Sequence, residues 1–142
     1  MSRQNPTVII ALGGNAISPK NETGDIHAQF AHTKESLDGI MHFVRERYNI
    51  CITHGNGPQV GAELLKNEIT RDKIPSLPLG ILVANTQGAI GYMVQQTLQN
   101  ALKKDDIDRE VVTFISQVKV DKDDQAIKNP TKFIGKTYQK DE

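Results

Sequence analysis

Apolar residues along the chain fall into two alternating patterns. From Thr7 to Leu12 they are β-branched or aliphatic with no polar alternation, which predicts a strand buried on both faces. Gly13-Gly14 ends that run. Between Asp25 and Tyr48, the residues Ile26, Phe30, Leu37, Ile40, Met41, Val44 and Tyr48 recur at helical spacing among charged positions, the signature of an amphipathic helix. Ile50 to Thr53 reads as a second short strand. The glycine-rich stretch His54 to Gly61 follows, after which Val60, Leu64, Leu65 and Ile69 mark another helical stripe, with Pro58 suited to its first turn. Beyond a loop punctuated by Pro75 and Pro78, Ile90, Val94, Leu98 and Leu102 recur every four residues and predict a third helix that ends at the charged Lys103 to Asp108. Val111 to Val120 predicts a third strand. From Asp121 to Glu142 the chain is charged, contains Asn129-Pro130 and carries no helix or strand pattern.

Strands alternating with helices argue for an α/β fold with a parallel sheet and right-handed crossovers. Three strands make a thin parallel sheet, so the chain reads as unfinished at its carboxyl end. A length of 142 residues fits one domain with one core.

Charge and cysteine usage narrow the function classes. Seventeen basic residues balance seventeen acidic ones, with no like-charged block to suggest a nucleic-acid arm or a membrane face. A small-molecule partner is favoured. Cys51 is the only cysteine, which rules out an intramolecular disulfide and a clustered thiolate site. Placed in an apolar strand, it reads as a small core residue. Met1 to Pro6 are polar and lead straight into a short apolar run, unlike a secretory signal, and no apolar stretch is long enough to span a bilayer. A soluble cytoplasmic protein is expected.

The candidate chemistry lies in the turns. In a parallel sheet the carboxyl ends of the strands share one edge, so the turns after the first two strands open toward one crevice. Glycine lets backbone approach a ligand closely, and at positive φ it turns successive N–H groups inward as an anion nest. Each turn leads toward a helix, whose uncapped first N–H groups favour phosphate, and Asn15 and Asn56 add neutral side-chain donors. One Gly-Gly alone is better read as a tight connection. Two glycine turns, each carrying Asn, point to phosphate.

Other motifs fail on spacing. The last glycine of Gly55-Asn56-Gly57-Pro58-Gln59-Val60-Gly61 falls one residue late for a dinucleotide fingerprint, and no strand end some twenty residues on carries a ribose-binding carboxylate. Gly135-Lys136-Thr137 resembles the end of a P-loop, yet Pro130 stands five residues before Gly135 and no strand precedes it. His54 reads as a hydrogen-bonded residue at a strand end. His27, His32 and His42 do not form the one-face pair of a zinc site, so no metal site built from protein ligands is expected. Gln87, Gly88 and Gly91 suit close packing near a helix start, with Gln87 kept as a substrate-binding candidate. Lys128 reads as solvated.

Four strings carry a resemblance. Val8-Ile9-Ile10-Ala11-Leu12-Gly13-Gly14-Asn15-Ala16-Ile17, His54-Gly55-Asn56-Gly57-Pro58-Gln59-Val60-Gly61, Thr86-Gln87-Gly88-Ala89-Ile90-Gly91-Tyr92 and Lys128-Asn129-Pro130-Thr131-Lys132 together resemble carbamate kinases in order and spacing. The resemblance covers nearly the whole chain. It implies a three-layer α/β/α sandwich of the amino acid kinase type with a mainly parallel sheet. Residues 1–142 would form the amino-terminal lobe, which binds carbamate and the phosphoryl group, and 121–142 would begin a protruding loop.

The implied activity is reversible phosphoryl transfer between ATP and carbamate, with magnesium assisting, which makes ATP from carbamoyl phosphate in arginine catabolism. Gly13, Gly14 and Asn15 would line one side of the transferring group and Gly55, Asn56 and Gly57 the other, while Lys132 reaches in from the loop. Transfer would be direct and in line, leaving the protein to position the reactants and neutralise charge. The resemblance also implies a homodimer.

Two departures stand out. Phe133 replaces the proline that usually follows the loop lysine, and the chain stops near half the family pattern, before the nucleotide-binding half. The 142-residue chain alone is therefore expected to be inactive. The alternatives are a non-catalytic acyl-phosphate-binding module and an inactive fragment that needs a complementing half.

Overall fold

Thr7, Val8, Ile9 and Ile10 favour extended backbone because branching at Cβ suits a pleated surface. In a computed structural model that describes residues 5–13, 17 and 25–132, they open β1 (Thr7–Leu12). The elements that follow are α1 (Ile26–Arg45), β2 (Asn49–His54), α2 (Gly57–Thr70), α3 (Leu79–Lys104) and α4 (Gln125–Lys128). The chain divides into two compact units, Met1–Gly55 with Ala89–Thr113 and Asn56–Gly88 with Phe114–Glu142, so α3 contributes to both.

In the first unit β1 and β2 pair in parallel, from Thr7 opposite Asn49 to Leu12 opposite His54. These are the two strands of the sheet among the described residues. Val8, Ile10 and Leu12 turn inward, as do Ile50 and Ile52, while Thr7, Ile9, Ala11, Cys51 and Thr53 are exposed. The expectation that β1 is buried on both faces is therefore corrected, with Ile9 at 71% exposure. So is the reading of Cys51 as a core residue, since it lies on the same open face. An unbroken apolar run signals a strand that can be covered twice, and here one face is covered.

The cover comes from two helices. Leu37, Ile40, Met41 and Val44 form one stripe on α1. Ile90, Met93, Val94, Leu98 and Leu102 form another on α3, and both pack with Leu12 and Ile17 into one core. Both helices carry the i, i+3, i+4 spacing that aligns side chains on one face.

Asp25 starts α1. Its carboxylate accepts the Ala28 and His27 N–H groups at 3.0 and 2.8 Å, which holds its pKa below the ordinary carboxylate value. A carboxyl whose pKa is lower folded than unfolded adds stability that is complete above its unfolded value and lost as pH falls through the folded one. The thermal midpoint of the wild type relative to Asp25→Asn is therefore expected to hold steady at neutral pH and to fall in acid below the ordinary carboxylate range. A gap that stays constant through that range would contradict the cap.

The apolar spacing extends α1 to Tyr48, but the helix ends at Arg45. Arg47 adopts left-handed φ (61°), its N–H donates to Val44 O, and the Tyr48 N–H donates to Phe43 O. That is a Schellman stop, in which the residue two beyond the cap folds back on the last turn. Tyr48 packs edge-on against Phe43 with ring centroids 5.5 Å apart, so its place in the apolar spacing reflects a contact made after the helix has ended. α3 stops the same way, with Asp106 at φ 53° and the Ile107 N–H donating to Leu102 O. A side chain in left-handed backbone is strained, whereas glycine is not. Arg47→Gly is expected to raise stability by about 1 kcal/mol, read from the urea midpoint.

No strand forms over Val111 to Val120, contrary to the sequence pattern. Instead the chain doubles back along α3. Gln99 donates to Arg109 O and accepts from the Val111 N–H, Gln95 donates to Val111 O, and the Thr113 hydroxyl donates to Gly91 O. Glutamine side chains thus take over bonds that a neighbouring strand would make. A Cβ at Gly91 would collide with the Thr113 side chain, which explains glycine in mid-helix.

In the second unit Val60 and Leu82 are buried. The Asn67 side chain binds both the N–H and the C=O of Leu77, tying the proline loop to α2. α3 starts at Leu79, well before the expected Ile90, because Leu79 to Val83 is an apolar cluster without period whose first turn bonds back to Pro78 O. A short α4, capped by Asp124, stands where no helix pattern was read.

Candidate functional site

Strand register fixes the first part of the site. Because Leu12 pairs with His54, the residues that follow each strand, Gly13 and Gly55, leave the sheet at the same edge. Both are exposed, and a Cβ added at Gly13, Gly55 or Gly57 would meet nothing within 4 Å. None of the three sits at positive φ, which corrects the expectation of a left-handed nest at these positions. Neither internal crowding nor backbone strain demands glycine there. What glycine does provide is bare backbone facing open space, which a tetrahedral anion can approach. Gly14 and Asn15 lie outside the described residues.

Asn56 precedes α2 without capping it by its side chain, and Pro58 occupies the helix start. A helix of 14 residues that begins without a side-chain cap offers its first N–H groups and the positive end of its dipole to an anion. The Asn56 amide points elsewhere. Its two N–H groups donate to Val83 O at 3.2 Å and to Thr86 Oγ1 at 2.9 Å. Thr86 is 5% exposed, and its hydroxyl lies 2.9 Å from both Leu82 O and Val83 O, to which it can donate. The Asn56 side chain is thus held by its amide hydrogens, with Oδ1 as its remaining polar atom.

The other candidates are placed as follows. The Gln87 amide accepts from the Ser116 N–H at 2.9 Å and reaches Ser116 O at 3.4 Å, which ties α3 to the segment beyond it. Lys132 is exposed and has no ion pair or hydrogen bond among the described residues. Phe133 lies outside them. His54 Nδ1 is 3.3 Å from Gly55 O. Among the described residues no group of three or more His, Cys, Asp or Glu could hold a metal ion.

The sequence motifs assign no role to Thr86. A signal was present, because Leu82, Thr86, Ile90 and Val94 recur every four residues along α3, and a polar side chain on such a stripe must find a partner when buried.

Comparison with known proteins shows what the chain is similar to. The carbamate kinase of Pyrococcus horikoshii is 43% identical over 133 residues, 92% of this chain and 42% of that protein. A carbamate kinase from Giardia lamblia bound to citric acid superposes with a TM-score of 0.91 at 38% identity, over 96% of this chain and 44% of that one. This chain is a homologue of the amino-terminal half of carbamate kinases. The Giardia lamblia carbamate kinase bound to AMP-PNP superposes with a TM-score of 0.88 at 38% identity, over 96% of this chain and 43% of that one. No protein-family model matches the chain. The chain spans less than half the length of these carbamate kinases, and the fold it shares with them is an α/β fold with a parallel sheet. Among the described residues no helix is long and apolar enough to cross a membrane.

Proposed function

We propose that this chain supplies the carbamate- and phosphoryl-binding half of a carbamate kinase, a phosphotransferase that moves a phosphoryl group reversibly between ATP and carbamate. The observation that carries the reading is the common edge of Gly13 and Gly55, with open space before both, in a chain 43% identical to a carbamate kinase.

Gly13, Gly14 and Asn15 line one side of the transferring group in this reading, and Gly55, Asn56 and Gly57 line the other. The group spreads negative charge over its oxygens as it passes between donor and acceptor. Fixed backbone N–H groups stabilise that charge without the reorganisation water would need, and the first turn of α2 adds its dipole. Lys132 supplies a full positive charge. The acceptor is an already ionised carbamate, so no general base is required and His54 has no proton to remove. Gln87 acts at one remove, by fixing the segment around Ser116. Magnesium would be carried on the phosphates of ATP or ADP and neutralise charge there.

The nucleotide partner, a homodimeric assembly of the complete protein, a cytoplasmic location and a place in arginine catabolism belong to the same reading. AMP-PNP on the Giardia lamblia enzyme supports the nucleotide.

The test is formation of ATP from ADP and carbamoyl phosphate. The 142-residue chain alone is expected to be inactive, and activity is expected when the other half of a carbamate kinase is joined to it. Binding of carbamoyl phosphate with no turnover in either form would instead establish a non-catalytic acyl-phosphate-binding module. No binding and no turnover in either form would overturn both.

A further inference from the structure

We infer that Thr86 is a positioning residue for the phosphoryl site, acting through Asn56 to hold the turn between β2 and α2. The inference rests on the function proposed above and deepens it.

Three observations lead there. Asn56 stands within the Gly55–Gly57 turn, yet both of its amide hydrogens are engaged, at Val83 O and Thr86 Oγ1, so the side chain has none left for a phosphoryl oxygen. Thr86 is buried, and its hydroxyl can serve both bonds at once, accepting from Asn56 while donating its one hydrogen to the α3 backbone at Leu82 O or Val83 O. Finally, Asn56 O accepts the Val60 N–H at 2.9 Å, so the residue gripped by Thr86 also closes the first turn of α2.

Together these make a short relay from the α3 backbone through Thr86 and Asn56 to the start of α2, whose first N–H groups have no side-chain cap. A hydroxyl and an amide in series transmit direction as well as attraction, because each partner has a fixed number of donors and acceptors. What Asn56 gives the site is then the orientation of its main chain. Removing the Thr86 hydroxyl frees an amide hydrogen and releases the turn, and a few tenths of an ångström of drift is enough to misdirect N–H groups toward a phosphoryl oxygen.

The experiment uses the 142-residue chain labelled with ¹⁵N and carbamoyl phosphate as the probe. Affinity is read from the shifts of the Gly55 and Gly57 amides, at a temperature where every variant is folded by circular dichroism. Thr86→Val keeps the shape and loses the hydroxyl, and is expected to weaken binding at least tenfold. Thr86→Ser keeps the hydroxyl and is expected to bind within about twofold of wild type. A role confined to stability would move the melting temperature of both variants without separating their affinities. Asn56→Ala breaks the relay from its other end, so the double variant is expected to bind no more weakly than the weaker single. This variant also serves if Thr86→Val does not fold. Equal affinities in wild type and in whichever of Thr86→Val and Asn56→Ala folds would overturn the inference alone. No binding by the wild-type chain, together with no turnover once the other half of a carbamate kinase is joined to it, would overturn the function proposal on which the inference stands.

Discussion

Replacing Lys132 by alanine is expected to slow turnover of the catalytically complete protein at least tenfold, a barrier increase of about 1.4 kcal/mol. The expectation follows from the charge inventory. Backbone N–H groups and a helix start provide partial positive charge, but the transferring group carries full negative charge, and Lys132 is the cation the site is proposed to recruit. Because Lys132 is exposed and has no ion pair among the described residues, its removal should cost little stability. The effect should therefore appear in kcat with the melting temperature unchanged. Lys132→Arg keeps the charge but changes its shape, and is expected to recover part of the rate. Turnover unchanged in Lys132→Ala would remove the residue from the mechanism.

The largest expected effect on stability lies in the helical cover of the sheet. Leu37 is 2% exposed in the core formed by α1 and α3. Leu37→Ala should cost about 2–5 kcal/mol, the sum of lost transfer energy and the cavity left behind. Net stabilities of domains are roughly 5–15 kcal/mol, so this one change removes a large share. The opposite face of β1 and β2 is exposed among the described residues, which makes the α1–α3 core more important still. Leu65→Ala, at a position 42% exposed, provides the contrast and should cost less than half as much in urea unfolding. Equal costs at the two positions would mean that the α1–α3 core does not hold the strands in register.

Much of this architecture could be read from residue types. The two strands, their parallel sense and the first two helices follow from apolar runs, helical spacing and glycine breaks. The misreadings share a cause, which is that periodicity records where apolar side chains lie and not which backbone carries them. Tyr48 continues the spacing of α1 from beyond the Schellman stop at Arg47. Val111 to Val120 has strand composition, but Gln95 and Gln99 satisfy its early backbone and Phe114 is left 84% exposed. β-propensity describes fitness for a sheet surface and forms nothing without a partner strand.

The site was legible in a similar way. Gly13 and Gly55 could be paired from topology alone, because parallel strands must end on one edge. The conformations of the glycines could not, and Gly13, Gly55 and Gly57 face open space without left-handed φ. The destination of the Asn56 amide was also hidden, since it depends on Thr86, thirty residues away in the sequence.

The most direct test of the central claim is a titration of the ¹⁵N-labelled chain with carbamoyl phosphate, following the backbone amides of Gly13 and Gly55. One tetrahedral anion held at the shared edge should move both signals along a single saturating curve, and Cys51 on the open sheet face should stay still. Signals that remain fixed, or that move with unrelated midpoints, would contradict a phosphoryl site at the ends of β1 and β2.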